Sequence, residues 1–287
     1  MQETMKDLLD KKLIDLQNHF DADIFTYYGP IAPGAERIFL SLVEELAVDD
    51  NKKESIYVIL TTGGGSAETV ERFVNILRHY YSEVNFIVPD YAYSAGTIFC
   101  MSGDNIHMDF YSVLGPIDPQ VQNREGKWVA ALGYLDKINQ LMALAKSNKI
   151  SQAEFIMLKD FDLAELRSYE MAKELTVSLL KNWLVNYKFK NWATHETTPA
   201  TIGQPVTAAE KEARAEEIAN KLGDNNIWKS HGRPINVHTL TTELKLKIED
   251  YSNIPARREL ITSYYELLTD YIERNGMEML IHTKLNF

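Results

Sequence analysis

The feature that most constrains the fold is an uninterrupted apolar run, Ser55 to Leu60, followed by two threonines and three consecutive glycines. A strand that is apolar at successive positions is typical of a parallel sheet covered on both faces. Glycines directly after such a strand allow backbone conformations closed to other residues and let backbone N–H groups approach a bound molecule closely. The run therefore predicts a buried central strand that ends in a tight turn.

Strand and helix patterns alternate on either side of this run. The segments 22–28 and 85–89 are rich in aromatic and β-branched residues and predict strands. Helical periodicity covers 36–46 and 67–81, and a helix of small residues is predicted at 95–102. The order strand, helix, strand, helix predicts an α/β fold whose sheet is mainly parallel, with right-handed crossovers.

The rest of the chain is predicted to be mainly helical. We expect three parts: an N-terminal helix at 1–20, an α/β core at 21–195, and a mainly helical C-terminal extension at 196–287 that packs on the core or on a neighbouring subunit. Residues 244–248 alternate like a half-buried strand. Helices are predicted at 129–148, 151–159, 163–188, 208–222 and 256–274.

Composition excludes several classes of protein. The formal net charge of −11 opposes a general nucleic-acid or anionic-membrane surface, which needs clustered Lys and Arg. No stretch reaches the ~18 to 20 apolar residues that span a bilayer, so we expect a soluble, cytoplasmic protein without membrane insertion. The single cysteine, Cys100, lies in an apolar run and is expected to be buried and inert.

No motif for a metal or cofactor is present. Paired cysteines, a His-x-x-x-His pair and a dense carboxylate loop are all missing from the sequence. The three glycines are not followed by the Gly-Lys-Ser/Thr of a nucleotide-binding loop, and their spacing differs from a dinucleotide fingerprint. We therefore predict no metal and no cofactor.

A second turn, Tyr91 to Thr97, follows the next predicted strand and contains Ser94. It resembles the strand–serine–helix elbow that exposes a nucleophilic hydroxyl, where the N–H of the following residue can stabilise an oxyanion. The pattern is Ala-x-Ser-x-Gly, so the Gly-x-Ser-x-Gly motif itself is not matched. The alternative interpretation is a simple helix N-cap, a common position for serine.

Three motifs together resemble a known family: Leu60 to Gly65, Tyr93 to Thr97, and Leu114 to Gln120 (LGPIDPQ). The chain is similar to the serine dehydrogenase proteinase family of Clp-fold peptidases, in the crotonase-like superfamily that also holds signal peptide peptidase A and the Clp proteolytic subunit. The resemblance covers roughly residues 20–190, and residues 231–235 look like a later family segment. It implies a Clp/crotonase-like core of repeated β-β-α units arranged as a spiral.

The resemblance also implies site roles. Ser94 would attack an acyl carbon, the N–H groups of Gly64 and Ala95 would hold the oxyanion, and Gly65 would keep the turn accessible. The implied activity is that of a serine peptidase acting on peptides or proteins through an acyl-enzyme.

The general base is less well defined by the sequence. Lys137 and Lys146 lie on the predicted helix 129–148, and the signal-peptide-peptidase branch implies a Ser–Lys dyad. A lysine acts as a base only when burial or a nearby cation lowers its pKa. His231 is the alternative base. Asp118 could orient that base or cap a turn, and the turn is the preferred interpretation.

Two other functions remain open. A crotonase-like acyl-CoA enzyme would use the same N–H groups without needing Ser94. A catalytically inactive scaffold subunit would keep the elbow without a base, because one fold supports many functions. The resemblance further implies a homo-oligomer.

Overall fold

Strands and helices alternate in the first third of the chain, and helices dominate after it. The protein is represented by a computed structural model that describes residues 2–122, 126–196 and 200–286. The strands of this part are β1 (Asp23–Tyr28), β2 (Ser55–Thr61), β3 (Glu83–Val88), β4 (Tyr91–Ala92), β5 (Asn105–Met108), β6 (Val113–Leu114), β7 (Gln120–Gln122), β8 (Trp128–Ala130), β9 (Ile235–Asn236), β10 (Glu249–Asp250) and β11 (Leu280–Thr283).

The helices surround these strands, and α7 continues into a π-helical turn at Leu184–Lys188. They are α1 (Gln2–Phe20), α2 (Glu36–Ala47), α3 (Ala67–Tyr80), α4 (Ala95–Cys100), α5 (Ala131–Lys146), α6 (Gln152–Lys159), α7 (Leu163–Trp183), α8 (Ala208–Leu222), α9 (Asn225–Trp228), α10 (Val237–Thr242) and α11 (Pro255–Asn275). None of the helices described here is long and apolar enough to cross a membrane.

A six-stranded sheet forms the centre, in the order β10-β5-β3-β2-β1-β11. Every neighbouring pair is parallel except β1 and β11, which are antiparallel. The mainly parallel sheet and the helical C-terminal region confirm the predicted α/β class. Because the strands are parallel, β1, β2, β3 and β5 all end at one edge, where parallel α/β sheets generally bind ligands.

Both faces of the sheet are buried, which explains the continuous apolar pattern of β2. On one face, Leu9 and Leu13 of α1 and Tyr264 of α11 belong to the same buried cluster as Ile59. Val58, the residue before Ile59 in β2, belongs to the cluster on the other face, with residues of α2, α3 and α4. Each fully buried aliphatic side chain of this kind contributes about 1.5–3 kcal/mol.

A second, small sheet joins three distant parts of the chain. Its order is β4-β6-β9: β4 and β6 pair in parallel through Ala92 and Leu114, and β6 and β9 pair antiparallel through Leu114 and Ile235. The carboxyl ends of β4 and β6 and the amino end of β9 therefore lie at the same side. Ser94 lies in the segment that follows β4, Asp118 in the segment that follows β6, and His231 in the segment that precedes β9.

Two local predictions need correction. Residues 244–248 are irregular, because Lys245 has a φ of +48° and interrupts an extended strand. Their burial nevertheless alternates, with Leu244 and Leu246 buried, and the strand β10 starts only at Glu249. The predicted helix 163–188 is α-helical only to Trp183.

Candidate active site

Ser94 occupies a sharp turn between β4 and α4. Its backbone has φ +53° and ψ −116°, a conformation that L-residues adopt at an energetic cost. The turn is held by the Gly96 N–H, which donates to the Tyr93 carbonyl at 2.8 Å, and by the Ile98 N–H, which donates to the Ser94 carbonyl at 3.1 Å. The Ser94 hydroxyl makes no capping hydrogen bond to α4, so this serine does not act as a simple N-cap.

The glycine turn packs directly on Ser94. Gly64 has a φ of +113°, and a Cβ added there would lie 2.8 Å from the Ser94 Cβ and 3.1 Å from the Tyr93 carbonyl oxygen. Gly65 has a φ of +149°, and a Cβ there would lie 2.0 Å from the Ile31 carbonyl oxygen. Only glycine fits both positions, so the glycine turn and the serine turn form one surface.

The backbone N–H groups of this surface differ in their partners. The Gly64 N–H donates to the Thr62 hydroxyl at 3.0 Å. Among the described residues, neither the Gly65 N–H nor the Ala95 N–H donates a hydrogen bond. Ala95 is the first residue of α4, where a helix leaves its N–H groups without intrahelical acceptors. In the described part of the chain, the N–H groups of Gly65 and Ala95 therefore have no protein acceptor, whereas the Gly64 N–H, which the resemblance implied as an oxyanion donor together with that of Ala95, has one.

The segment after β6 is fixed against the serine turn. The Thr97 hydroxyl lies 2.8 Å from the Ala92 carbonyl oxygen and 2.9 Å from the Gly115 carbonyl oxygen, and it accepts the Gly115 N–H at 2.9 Å. The Tyr93 ring covers Gly115 so closely that a Cβ there would lie 2.3 Å from the ring. These contacts hold the segment leading to Asp118 beside Ser94.

Asp118 and His231 form a hydrogen-bonded pair. The Asp118 Oδ1 lies 2.7 Å from the His231 Nδ1, and the Asp118 side chain is almost fully buried. The other carboxylate oxygen accepts from the Gln120 side-chain amide at 3.0 Å. His231 is about one-third exposed, with a side-chain exposure of 31%. Asp118 therefore orients a histidine as well as bonding locally, although the sequence favoured a turn cap alone.

The two candidate lysines lie on the helix that follows β8. Lys137 and Lys146 are both exposed on α5. The pKa of Glu154, on α6, is lowered mainly by hydrogen bonds from the Ser151 backbone and hydroxyl, and to a smaller extent by the charge of Lys137. Lys137 thus acts electrostatically on α6. Neither side chain is buried, and burial is one of the two conditions under which a lysine acts as a base.

One lysine with a lowered pKa, Lys188, was not singled out from the sequence. Burial lowers the pKa of Lys188, in the π-helical turn, to about 8. Its ammonium group lies 3.4 Å from the Asp104 carbonyl oxygen, just before β5 begins. Ser94 lies at the opposite end of the sheet, after the carboxyl end of β3. Lys188 is therefore too distant to act as a base for Ser94.

Aromatic side chains surround the serine turn, and no role was predicted for them from the sequence. The Tyr91 and Tyr93 rings lie 5.7 Å apart. Phe110 and Tyr111, which follow β5 at the same edge of the sheet, are both largely exposed. Burial raises the pKa of Asp90, which accepts a hydrogen bond from the Tyr265 hydroxyl at 3.4 Å. The pattern Tyr-x-Tyr-Ser at 91–94 is the sequence feature that could have indicated aromatic side chains beside the serine.

Other reactive groups do not contribute to this site. Cys100 is fully buried, and burial raises the pKa of its thiol. Within 2–122, 126–196 and 200–286, no group of three His, Cys, Asp or Glu side chains is arranged to bind a metal ion. The arrangement around Ser94 suits nucleophilic attack on a carbonyl carbon, with N–H donors ready for the oxyanion.

A family model described as "ClpP-like SDH-type serine proteinase" matches residues 45–212. The matched range includes the glycine turn, the serine turn and the segment containing Asp118. It ends before His231.

Two curated relatives come from Methanocaldococcus jannaschii. The uncharacterized protein MJ1495 is 28% identical over 221 residues, which are 77% of this chain and 58% of the relative. The uncharacterized protein MJ0137 is 31% identical over 134 residues, which are 44% of this chain and 46% of the relative. The chain thus spans about half the length of the curated relatives that it matches.

Similar solved structures include two variant forms of the 1510-N membrane-bound stomatin-specific protease, one of them in complex with a substrate peptide. Their sequence identities are 12% and 13%, and both have a TM-score of 0.44. Each similarity covers 82% of this chain, and 81% and 80% of the respective protease chain.

Proposed function

Because the chain belongs to the ClpP-like, SDH-type serine proteinase family, we propose that it is a peptidase in which Ser94 attacks the carbonyl carbon of a peptide bond. The observation that carries the proposal is the strained turn at Ser94, which has a φ of +53°, makes no capping hydrogen bond to α4 through its hydroxyl, and has Gly64 packed against its Cβ. The substrate class is a peptide or protein. A cytoplasmic location and a homo-oligomeric state are parts of the same proposal.

The oxyanion of the tetrahedral intermediate is assigned to the N–H groups of Gly65 and Ala95. The contacts support this choice because Gly64 donates its own N–H to Thr62. Gly64 then acts as a positioning residue that permits close approach of the turn to Ser94. Removal of one such donor typically lowers kcat by about a hundredfold to a thousandfold.

His231, oriented by Asp118, is assigned as the general base. In the proposed mechanism the Nδ1 of His231 donates the 2.7 Å hydrogen bond to the Asp118 carboxylate, and its Nε2 keeps a lone pair. As the bond from the Ser94 oxygen to the carbonyl carbon forms, the Ser94 proton moves to this Nε2. The imidazolium then protonates the leaving amine as the peptide C–N bond breaks.

Hydrolysis of the acyl-enzyme repeats these steps with water. His231 takes a proton from the attacking water, and a second tetrahedral intermediate forms at the same two N–H groups. When it collapses, the ester bond to Ser94 breaks, and the serine oxygen recovers a proton from His231. The small sheet supports this assignment because it brings the Ser94, Asp118 and His231 segments to one side.

The test is labelling with a fluorophosphonate probe, with the adduct located by peptide mass spectrometry. Wild type is expected to be labelled at Ser94, and Ser94→Ala to lose the label. His231→Gln and Asp118→Asn are expected to slow both labelling and fluorogenic peptide hydrolysis by about a hundredfold to ten-thousandfold. Lys137→Ala and Lys146→Ala serve as matched controls from the exposed face of α5 and should react at the wild-type rate.

Two results would separate the alternatives. A lysine variant that loses labelling while His231→Gln keeps it would replace the histidine base by a Ser–Lys dyad. A folded wild-type protein that neither labels nor hydrolyses peptides would overturn the peptidase proposal.

A further inference from the structure

Asp90 is a partly buried carboxylate at the carboxyl edge of the central sheet, between the end of β3 and the turn that contains Ser94. Its Oδ2 accepts a hydrogen bond from the Tyr265 hydroxyl at 3.4 Å, which is a long contact for two oxygen atoms. Burial raises the pKa of this carboxyl, and the Tyr265 hydrogen bond lowers it to a smaller extent. Asp90 is thus partly removed from water and only weakly stabilised by this neighbour.

The Asp90 carboxylate has no cationic partner within the part of the chain that the structure describes. Arg258, which lies at the same edge of the sheet, forms an ion pair with Asp109 at 2.8 Å and lies over the Phe110 ring. A charge that is partly buried without a counter-ion is costly. A cation supplied by a bound molecule would therefore stabilise the ionised form of Asp90.

Two tyrosine rings lie between this carboxylate and Ser94. Tyr91 and Tyr93 are two positions apart in and after β4, a spacing that places side chains on one face of a strand, and their rings lie 5.7 Å apart. Burial raises the pKa of both hydroxyls, and the charge of Asp90 adds to both shifts, so both hydroxyls are within electrostatic reach of Asp90. Both side chains are also partly exposed. A carboxylate beside aromatic rings is a combination that binds ammonium and guanidinium groups.

The charge of the surrounding surface favours the same kind of ligand. Two exposed glutamates of α11, Glu259 and Glu266, line a groove along this helix. Arg258 lines the groove as well, but its charge is already paired with Asp109. The formal net charge of −11 attracts cationic peptides to the whole molecule and repels acidic ones.

We propose that Asp90, together with the rings of Tyr91 and Tyr93, binds the cationic side chain of a lysine or arginine residue beside the scissile bond. This inference names the substrate class of the Ser94 site and so rests on the proposed function. Asp90 supplies the counter-charge, and the rings pack on the cation and on its aliphatic stem. An uncharged side chain of the same length would leave Asp90 unpaired, and an acidic side chain would be repelled. Asp90 is a specificity-determining residue in this proposal and takes no part in bond breaking.

The first experiment measures binding without catalysis, in the full chain carrying Ser94→Ala. Fluorescent peptides that are acetylated at the N-terminus, amidated at the C-terminus and differ only at one position, which is lysine, arginine, norleucine or glutamate, are titrated by fluorescence anisotropy. The lysine and arginine peptides are expected to bind about tenfold to a hundredfold more tightly than the norleucine peptide. A norleucine peptide with a free α-amino group tests whether the bound cation is instead the N-terminus of a peptide.

Matched variants in the same Ser94→Ala chain assign the preference to particular side chains. Asp90→Asn is expected to bring the ratio of lysine to norleucine affinity to within about threefold of one, since it removes the counter-charge. Asp50→Asn removes the same charge from an exposed site before β2, near the opposite edge of the sheet, and should keep the ratio. Tyr91→Leu should lower the ratio by about twofold to fivefold, whereas Tyr91→Phe, which retains the ring, should not. Circular dichroism verifies that each variant is folded.

Hydrolysis of internally quenched versions of these peptides by the chain with Ser94 intact is measured in parallel. Mass spectrometry of the products is expected to place the cleaved bond beside the lysine or arginine. The ratio of kcat/KM for lysine over norleucine should fall in Asp90→Asn and persist in Asp50→Asn.

Three outcomes would overturn the proposal. One is equal affinity of the Ser94→Ala chain for the lysine and norleucine peptides. Another is a lysine preference that persists in Asp90→Asn, and the third is tight binding only of peptides with a free α-amino group. Hydrolysis without a preference for lysine or arginine would leave the peptidase in place and remove the subsite. Selective binding of lysine peptides, lost in Asp90→Asn, by a protein that hydrolyses no peptide would leave the subsite in place and overturn the peptidase.

Discussion

The Thr97 hydroxyl accepts the backbone N–H of Gly115 at 2.9 Å and so joins the helix that follows Ser94 to the segment that leads to Asp118. Both partners are buried, and the same hydroxyl also contacts the Ala92 and Gly115 carbonyl oxygens. A single side chain thereby holds two of the three sequence motifs in register. The position of the proposed nucleophile relative to the proposed base depends on this contact.

Replacing Thr97 by valine tests that dependence. Thr97→Val keeps the side-chain shape but leaves the buried Gly115 N–H without an acceptor, so we expect a loss of about 1–3 kcal/mol in the free energy of unfolding. Peptide hydrolysis should fall as well. Thr97→Ser, which retains the hydroxyl, should preserve most activity. A Thr97→Val protein as stable and as active as wild type, with losses only in Thr97→Ser, would show that packing of the methyl group, rather than the hydrogen bond, matters here. Urea denaturation and fluorogenic assays measure the two effects.

Adding a methyl group to the glycine turn tests whether the close packing of Gly64 on Ser94 is needed for the reaction of Ser94. Gly64→Ala places a Cβ 2.8 Å from the Ser94 Cβ at a φ of +113°, so we expect labelling of Ser94 to slow by about tenfold to a thousandfold. Gly63→Ala is the control, because nothing lies within 4 Å of its added Cβ. A Gly64→Ala protein that labels at the wild-type rate would contradict the close packing of the two turns.

The backbone strain at Ser94 predicts a difference between two inactive variants. Ser94→Gly and Ser94→Ala both remove the hydroxyl, but only glycine adopts φ +53° without steric cost. We expect Ser94→Gly to be more stable than Ser94→Ala by about 1 kcal/mol, after the greater freedom of glycine in the unfolded chain is included. Differential scanning calorimetry at one pH gives the comparison. The opposite order of stability would mean that the turn is not strained.

His107 predicts a loss of stability in acid. Its ring is buried near Phe20 and Tyr57, and within the described residues neither ring nitrogen has a hydrogen-bond partner. Burial, with smaller contributions from the charges of Arg257 and Lys188, lowers its pKa to about 3.

The sign follows from the lowered pKa. In the unfolded chain this histidine binds a proton near pH 6.5, whereas in the folded protein it stays neutral down to about pH 3. Stability is therefore lost as the pH falls from 6.5 towards 3, by about 2 kcal/mol between pH 7 and pH 5. His107→Leu should lose less stability over that range in chemical denaturation, and His238→Leu, at an exposed site, should behave as wild type.

The secondary-structure elements that the sequence predicts best are those that have the same kind of surroundings along their whole length. Ser55 to Leu60 is apolar throughout because helices cover both faces of β2, and that pattern needs no knowledge of distant residues. The turn at Ser94 is likewise encoded locally, by small residues after a strand. Residues 244–248 show the limit of pattern alone, because their burial alternates as predicted while the φ of Lys245 breaks the strand.

The pairing of Asp118 with His231 could not be predicted from the sequence. The two residues are 113 positions apart, and they meet because β6 and β9 pair. Each of those strands has two residues, which is too short to show a period of two. The exposure of Lys137 and Lys146 could not be predicted from the sequence either. It depends on how α5 packs against α6 and α7, and the residues of α5 alone do not determine this packing.

The two outer strands of the central sheet, β10 and β11, are synthesised after all of the strands that lie between them. Both edges of that sheet, β10 and β11, are built from residues after 248, whereas the Ser94 turn needs only β2, β3 and β4. A nascent chain that has been synthesised only as far as residue 248 holds the strands beside Ser94 but leaves β1 and β5 with unpaired backbone groups. The contacts of highest sequence separation thus protect the growing protein from edge-to-edge aggregation only after β10 and β11 have been synthesised.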